Sequence, residues 1–408
     1  MRESPERIPV HRQLLFIPGP VMVADRVLAA SAVQMIDHRG PEYAALQQRI
    51  TERMKPIFGT QNEVMLLGAS GTGGLEAAVA SLFRSGDRLL AAPIGVFGQR
   101  LIAIAKNCGC TVDVLETPNG SAVDVDALRA KLAADTGHAY AGILMTHNET
   151  STGVQNDMAA LAPVMREHGA MVVVDAVSGL GASEFRMDEW GFDIVITASQ
   201  KAIAAPPGVA MIAVSERAWT KMDAPGSIAF SHDLRRAREF ARIGQTPWTP
   251  PVGVLFAVDV ALEMFENETA PAVWARHARY ARAIRTAVTA MGLSVFSREN
   301  AHSVTVVAVN APDGVDVGKL RAKLRDERGV VMGGGQGAMK GKIFRIGTMG
   351  ALSETDVLGA IGALEMALLE IGLPIGAGSG VQAALRVFLD EAGLLPEGEP
   401  AQRATVSV

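Results

Sequence analysis

Seven short apolar runs recur between residues 64 and 214, and helical patterns separate most of them. Runs that are apolar on both faces are typical of strands buried inside a parallel sheet. The last two runs leave no room for a helix between them, so we expect one of the two to be antiparallel. The predicted fold is α/β, with a large domain built on a mostly parallel seven-stranded sheet. Its strands are expected at Val64–Leu67, Arg88–Ala92, Thr111–Leu115, Tyr140–Thr146, Met171–Asp175, Phe192–Thr197 and Val209–Val214.

The remainder of the chain predicts a second, smaller domain of the α+β class. At 408 residues the chain exceeds the usual size of a single core. Two long helical patterns begin at Val252 and Ala272, and shorter strand and helix patterns follow them. The predicted division is an N-terminal arm over residues 1–25, a large domain over 26–251, a small C-terminal domain over 252–393 and a flexible tail over 394–408.

Composition indicates a soluble enzyme in a reducing compartment. The chain is 49% hydrophobic and 20% charged, with a net charge of −5 and no basic cluster, so neither nucleic acid nor membrane is expected as a partner. No apolar run is long enough to span a membrane, and the first thirty residues lack the apolar core of a secretory signal. Only Cys108 and Cys110 are present, which favours a cytoplasmic location.

Two ionisable residues follow neighbouring predicted strands. Asp175 closes the run Met171–Asp175, and Lys201 lies just beyond the next run. Both would lie at the carboxyl edge of the sheet, where open α/β folds bind ligands. Pyridoxal phosphate chemistry needs this pair, because a lysine forms the Schiff base and an aspartate keeps the pyridine nitrogen protonated. An ordinary aspartate at a strand end with a surface lysine is the alternative.

Two further segments at the same edge suit a flat, phosphorylated ligand. The run Gly68–Gly74 follows a strand and opens a helix, so Ser70, Gly71 and Thr72 could present N–H and hydroxyl donors to a phosphate. Phe97 lies at the next strand-to-helix junction, where its ring could stack on a cofactor. A simple tight turn and a core phenylalanine are the alternatives.

Hydrogen-bonding residues and a buried arginine complete the candidate site. Asn148 and Thr150 follow a strand and could contact a cofactor or a substrate, although the cluster could also cap the helix at Met158. Arg345 lies on an apolar strand, where it could bind a carboxylate or form an internal salt bridge. No second histidine has ligand spacing to His38, so no metal site is expected.

Together these motifs resemble the class V aminotransferases, which belong to the fold-type I pyridoxal phosphate enzymes. The resemblance is nearest to the branch of alanine–glyoxylate, serine–glyoxylate and broad-specificity archaeal aminotransferases. It extends to about residue 385 and implies an aspartate-aminotransferase-like large domain. The similar segments are FIPGP, MIDHRGPEY, ASGTGGLEAA, HNETSTG, VVVDAVSGLG, ASQKAIAAPPG, QTPWTPPV and GGGQGAMKGKIFRIGTMG.

The resemblance implies pyridoxal 5′-phosphate as cofactor and a role for each matching residue. Lys201 would carry the cofactor and move a proton, Asp175 would pair with the pyridine nitrogen, and Arg345 would bind the substrate carboxylate. Further cofactor contacts would be Ser70, Gly71, Thr72 and Gln200 at the phosphate, Val177 and Phe97 on the two ring faces, and Thr150 at the phenolic oxygen. Further substrate contacts would be Asn148 and Gly19.

The segment Gln245–Pro250 implies an assembly with shared active sites. In similar proteins, residues at the positions of Thr246 and Thr249 reach the phosphate of the neighbouring subunit, so the resemblance implies a homodimer. Some relatives have tyrosine in this segment, where this chain has Thr246 and Trp248. The width of the pocket is expected to differ accordingly.

The expected activity is ping-pong transfer of an amino group from alanine or serine to glyoxylate or pyruvate. Aspartate or ureidoglycine as donor, a pyridoxal phosphate lyase and an inactive binding protein remain alternatives. One arginine fits one carboxylate, although Arg39 could supply a second for a dicarboxylate. A cysteine desulfurase is a poor fit, because both cysteines precede the small domain.

Overall fold

The computed structural model describes residues 13–223 and 229–394. Most of the predicted tail and the first twelve residues of the predicted arm lie outside the described residues. The strands are β1 Leu14–Phe16, β2 Glu63–Leu67, β3 Arg88–Ala91, β4 Thr111–Val114, β5 Tyr140–Thr146, β6 Asn148–Glu149, β7 Val154–Gln155, β8 Met171–Asp175, β9 Ile194–Ala198, β10 Ala210–Val214, β11 Val306–Asn310, β12 Val330–Gly334 and β13 Ile343–Gly347.

The helices alternate with these strands through the first half and dominate the second. They are α1 Asp25–Ala30, α2 Pro41–Phe58, α3 Gly71–Leu82, α4 Val96–Asn107, α5 Val125–Ala133, α6 Met158–His168, α7 Met187–Trp190, α8 Glu216–Met222, α9 Leu234–Ala241, α10 Val252–Glu268, α11 Ala270–Ala290, α12 Val317–Arg328, α13 Glu354–Glu370 and α14 Ser379–Glu391.

The larger sheet has seven strands in the order β2-β10-β9-β8-β5-β3-β4. Strand β10 runs antiparallel to both of its neighbours, and the other pairs are parallel. Both expectations are confirmed: seven mostly parallel strands, with one of the last two reversed. Because β2 and β9 flank the reversed strand, their carboxyl ends share one edge with those of β3, β5 and β8.

Strand β8 shows why its sequence is apolar throughout. Val172 and Val174 join the core on one face of the sheet, and Val173 joins the core on the other. Side chains alternate between faces along a strand, so an interior strand covered on both sides has no polar position to spare. Asp175, the first polar residue of this strand, lies at its carboxyl end.

The smaller sheet has the order β1-β12-β13-β11. Strand β1 lies parallel to β12, with Leu14 opposite Val330, and Phe16 is fully buried. Part of the predicted arm is therefore a strand of this sheet, because its alternating apolar residues cover the second core. Helices α12, α13 and α14 contribute to the same core.

The predicted boundary at residue 252 does not coincide with a change of core. Helix α10 begins there, yet its buried side chains, including Leu255 and Leu262, join the core of the larger sheet. Helix α11 contacts both cores, with Val273 in the first and Tyr280 in the second. The division into domains at 252 stays a prediction.

None of the helices in the described part of the chain is long and apolar enough to cross a membrane. The expected cytoplasmic location stays a prediction.

Candidate active site

Lys201 lies on the turn after β9, and it touches the N-terminal segment of the chain. Its Nζ donates a hydrogen bond to the carbonyl of Pro18 at 2.6 Å. Gly19 adopts φ +125°, and a Cβ there would approach the Cδ of Lys201 to 2.8 Å. The backbone conformation requires glycine at this position, and the Lys201 side chain packs against it. Burial lowers the pKa of Lys201 to about 8, so the neutral amine is accessible near physiological pH.

Asp175 lies at the end of β8 and is buried. One carboxylate oxygen accepts a hydrogen bond from the backbone N–H of Val177 at 3.0 Å. Burial raises the pKa of Asp175 to about 7, and the charge of Glu149 adds to this shift while that of Lys201 opposes it. A buried carboxylate with this pKa gains most from a cationic partner, which a protonated pyridine nitrogen would provide.

The glycine-rich turn forms the start of helix α3, as predicted. Ser70 caps the helix, since its Oγ accepts from the N–H of Gly73 at 3.3 Å. A Cβ at Gly71 would come within 2.9 Å of the Val177 side chain, so only glycine allows the helix to approach that residue so closely. The free N–H groups of a helix N-terminus favour an anion. In the described part of the chain, the buried Oε1 of Gln200 has no hydrogen-bond partner.

Phe97 is oriented by a buried carboxylate that the sequence analysis did not single out. Oε2 of Glu149 accepts hydrogen bonds from the N–H groups of Phe97 at 2.9 Å and Gly98 at 3.1 Å. Its other oxygen accepts from the N–H of Ser151. Glu149 therefore anchors the first turn of α4, which carries the ring. The sequence signal for this role was Glu149 itself, a single acidic residue in the segment HNETSTG that directly follows an apolar strand.

Asn148 lies at the centre of a buried hydrogen-bond network. Its Nδ2 donates to Ser178 and Thr305, each at 2.8 Å, and its Oδ1 accepts from Ser303 at 2.5 Å. The side-chain amide thus joins the edge of the larger sheet to the loop before β11. Its proposed contact with substrate stays a prediction, and it would have to be made alongside these bonds. Ser178 belongs to the same network, since its hydroxyl also donates to the carbonyl of Asn148 at 2.8 Å.

Arg345 lies in the middle of β13 and is 6% exposed. Its Nε donates to the carbonyl of Gly334 and its Nη1 to that of Thr150, each at 2.8 Å. Burial lowers the pKa of Arg345 to about 10. Across residues 13–223 and 229–394 no carboxylate forms an ion pair with it, so the alternative of an internal salt bridge is not observed. A buried guanidinium without an anion is suited to bind one.

A cavity of about 130 Å³ brings most of the predicted residues together. Ten of them line it: Ser70, Gly71, Thr72, Phe97, Asn148, Thr150, Asp175, Val177, Gln200 and Lys201. Leu75, Arg100 and Ser178 complete the lining. Gly19 contacts Lys201 from outside this set, and Arg345 reaches the backbone of Thr150.

Thr246 and Thr249 line a different cavity, beside Trp248 and Ser231. The hydroxyl of Thr246 donates to the carbonyl of Trp248 at 2.7 Å. Arg39 donates to the carbonyls of Thr246 and Pro247 and to the side chain of Gln245. Its guanidinium is thus committed to shaping this segment, and the idea that Arg39 serves a second substrate carboxylate gains no support.

The residues that line the Lys201 cavity fit pyridoxal phosphate. Gly71 lets the start of α3 lie close against Val177, and the Oε1 of Gln200 has no hydrogen-bond partner among the described residues. Asp175 and Lys201 line the same cavity. No group of three or more histidine, cysteine or acidic residues in the described ranges could hold a metal ion.

Comparison with known proteins decides the family. A family model described as aminotransferase class-V matches residues 26–351. The chain belongs to the class-V aminotransferases. The predicted recognition, fold type and transaminase class are therefore confirmed.

Three relatives show how this aminotransferase compares with characterised proteins. It is 38% identical to L-aspartate–glyoxylate aminotransferase of Paracoccus denitrificans, over 91% of this chain and 94% of that protein. It is 34% identical to serine–glyoxylate aminotransferase of Arabidopsis thaliana, over 94% and 97%. The crystal structure of pyridoxamine–pyruvate aminotransferase from Mesorhizobium loti superposes with a TM-score of 0.89 at 32% identity, covering 96% of this chain and all of that one.

Proposed function

We propose that this aminotransferase uses pyridoxal 5′-phosphate to move an amino group from a small amino acid, alanine or serine, to glyoxylate or pyruvate. The observation that carries the proposal is the pairing of Asp175 and Lys201 in one cavity. Both are buried, and burial raises the pKa of the acid to about 7 and lowers that of the amine to about 8. Such perturbed pairs are characteristic of catalytic sites.

The cofactor, when bound, supplies an electron sink that stabilises negative charge at the substrate Cα. Asp175 would hold the pyridine nitrogen in its protonated form. Lys201 would bind the cofactor and then take and return the proton at Cα, and its lowered pKa suits a base that works near neutral pH. Ser70, Gly71, Thr72 and Gln200 would hold the phosphate, with Phe97 and Val177 on the two faces of the ring and Thr150 at the phenolic oxygen.

Substrate binding is assigned to Arg345, which has donor capacity beyond its two carbonyl contacts. A single buried guanidinium fits the carboxylate shared by amino acids and 2-oxo acids. Gly19 and Asn148 would border the substrate, because Gly19 packs on Lys201 and Asn148 lines the cavity. Aspartate is the second candidate donor, favoured by the relative from Paracoccus denitrificans.

We further propose a homodimer in which each subunit completes the other's phosphate site. Thr246 and Thr249 lie in a separate cavity of their own chain, and Arg39 holds that segment in shape. Because neither threonine lines the Lys201 cavity of its own chain, their position supports a contact with the phosphate site of the partner subunit. Sedimentation velocity should give a dimer, and a stable, fully active monomer would contradict this assembly.

A two-stage panel tests the chemistry and the substrates. The purified protein should absorb visible light after addition of pyridoxal phosphate, and borohydride should bleach that absorbance. Alanine, serine, aspartate and ureidoglycine are then tested for conversion of the cofactor to its pyridoxamine form, and glyoxylate and pyruvate for its return. We expect alanine or serine to act most rapidly.

Other outcomes of the same panel identify the alternatives. Fastest conversion by aspartate or ureidoglycine would correct the donor. Release of ammonia or a fragment without the pyridoxamine form would indicate a lyase. A protein that takes up no pyridoxal phosphate would be a binding protein, and the proposed function would be wrong.

A further inference from the structure

Arg100 lines the cofactor cavity, and no role has been assigned to it so far. It lies on α4 one turn after Phe97, and its guanidinium carbon is 4.6 Å from the centre of the Phe97 ring. Its Nη1 donates a hydrogen bond to the Oγ1 of Thr72 at 3.1 Å. Arg100 thus connects the residue predicted to stack on the cofactor with the turn predicted to hold its phosphate.

The direction of the hydrogen bond between Arg100 and Thr72 is fixed by chemistry. A guanidinium has donors only, so the oxygen of Thr72 must be the acceptor. The hydroxyl hydrogen of Thr72 is then left to donate elsewhere. Thr72 is the second residue of α3, where the helix dipole and free N–H groups also favour an anion.

The remaining donors of Arg100 are available as well. Within the described part of the chain, Thr72 is the only hydrogen-bond acceptor that the guanidinium reaches, and no carboxylate lies within ion-pair distance of it. Its charge acts on the carboxylate of Asp175 only through space, where it lowers the pKa of that group against the larger effect of burial. An arginine stacked on an aromatic ring loses little freedom on binding an oxyanion, because its plane is already fixed. The side chain is exposed, so its charge is partly screened by solvent.

We propose that Arg100 is a positioning residue for the cofactor phosphate, directing the Thr72 hydroxyl toward it and adding positive charge beside it. The inference rests on the proposed function, since it requires pyridoxal phosphate in this cavity. It predicts that Arg100 matters for the phosphate group and little for the pyridine ring. Binding of two cofactor forms can separate these contributions.

The test compares pyridoxal phosphate with pyridoxal, which lacks the phosphate. Arg100→Gln keeps a residue of good helix propensity at an exposed position, so the protein should fold. Each aldehyde is titrated into cofactor-free dimer and followed by visible absorbance. We expect the affinity for pyridoxal phosphate to fall about tenfold, the loss of one partly screened charge-assisted contact, while that for pyridoxal stays within about twofold.

Thr72→Val and the double variant test whether Arg100 acts through the hydroxyl. If it does, Arg100→Gln should weaken pyridoxal phosphate binding less in the Thr72→Val background than in the wild type. Arg129→Gln, an exposed arginine on α5 distant in sequence from the cavity residues, is the matched control and should leave both affinities unchanged.

Three results would overturn the proposal. An unchanged affinity for pyridoxal phosphate would remove Arg100 from the phosphate site. An equal loss for both aldehydes would mean that Arg100 only supports Phe97. A wild-type protein that binds neither aldehyde would overturn the proposed function itself, which distinguishes that failure from the first two.

Discussion

Lys201 follows the end of a strand in the seven-stranded sheet, whereas Arg345 lies in the middle of a strand in the four-stranded sheet. Among the described residues, the side-chain amine of Lys201 makes one hydrogen bond, to the carbonyl of Pro18. Arg345 is fixed by two, to Gly334 and Thr150. A group on a turn beyond the sheet is free to change partners during a reaction. A side chain in the middle of a strand that is fixed by two hydrogen bonds is suited to hold one ligand in one orientation.

Substitution of Lys201 should give the largest loss of activity. We expect Lys201→Ala to lower transamination about 10⁴-fold, because the variant loses the base beside the reacting carbon. The fold should persist, since the turn is separately held by the Ser199 hydroxyl donating to the carbonyl of Pro206 at 2.7 Å. Steady-state rates and the circular dichroism spectrum measure the two effects.

Lys106→Ala provides the control for this substitution, as it removes a lysine exposed on α4. It should retain full activity. Normal transamination by Lys201→Ala would end the assignment of Lys201 as the catalytic lysine.

Substitution of Arg345 should have a smaller effect, mainly on substrate binding. Arg345→Lys keeps a positive charge but loses the fork that contacts both carbonyls and a carboxylate. We expect KM for the amino acid to rise about 30-fold, near 2 kcal/mol, with a smaller change in kcat. Steady-state kinetics on alanine and serine would measure it.

Arg325→Lys is the matched control, because Arg325 is exposed on α12 and, within residues 13–223 and 229–394, forms its one ion pair with the adjacent Asp326. A fall in kcat at constant KM for Arg345→Lys would contradict the assignment of Arg345 to substrate binding, since Arg345 would then act in the transition state.

Asp175, buried at the end of a strand in the larger sheet, should also make the free energy of unfolding depend on pH. Burial raises the pKa of Asp175 to about 7 in the cofactor-free protein. Between about pH 4 and 7 the folded protein keeps a proton that the unfolded chain has released. The contribution of this group is therefore fully present below about pH 4 and is lost as the pH rises through 7, by on the order of 4 kcal/mol.

Urea denaturation of cofactor-free wild type and Asp175→Asn would measure this dependence. The difference in unfolding free energy between the two proteins should change across that pH window, because asparagine does not ionise. A constant difference from pH 4 to 8 would show that Asp175 titrates near its ordinary value. The lowered pKa of Lys201 acts only above about pH 8, where its contribution rises with pH, so the two effects are separable.

The same contrast between the sheets explains what the sequence could predict. The interior strands of the larger sheet are recognisable because they are buried on both faces, and the proposed cofactor residues Asp175 and Lys201 follow directly after two of these apolar runs. Helices α2 and α6 begin and end where their proline, cap and glycine signals indicate. Local composition determines these elements.

The second sheet depends on contacts between residues distant in sequence. Strand β1 is only three residues long, and β12 ends in glycines, so neither has a strong strand pattern of its own. Glu149 and Arg100 were missed for the same reason. Their importance comes from the backbone of Phe97 and the hydroxyl of Thr72, which only the folded chain brings within reach.

The pairing of β1 with β12 has a consequence for biosynthesis. Pro18 and Gly19 reach Lys201 from the segment directly after β1, and the one sheet neighbour of β1 among the described residues, β12, begins at Val330. A ribosome must therefore release most of the polypeptide before the start of the chain can close over the lysine. Contacts of such long sequence separation form late and slow folding. We expect the larger sheet to assemble first and the segment that contacts Lys201 to dock late in folding.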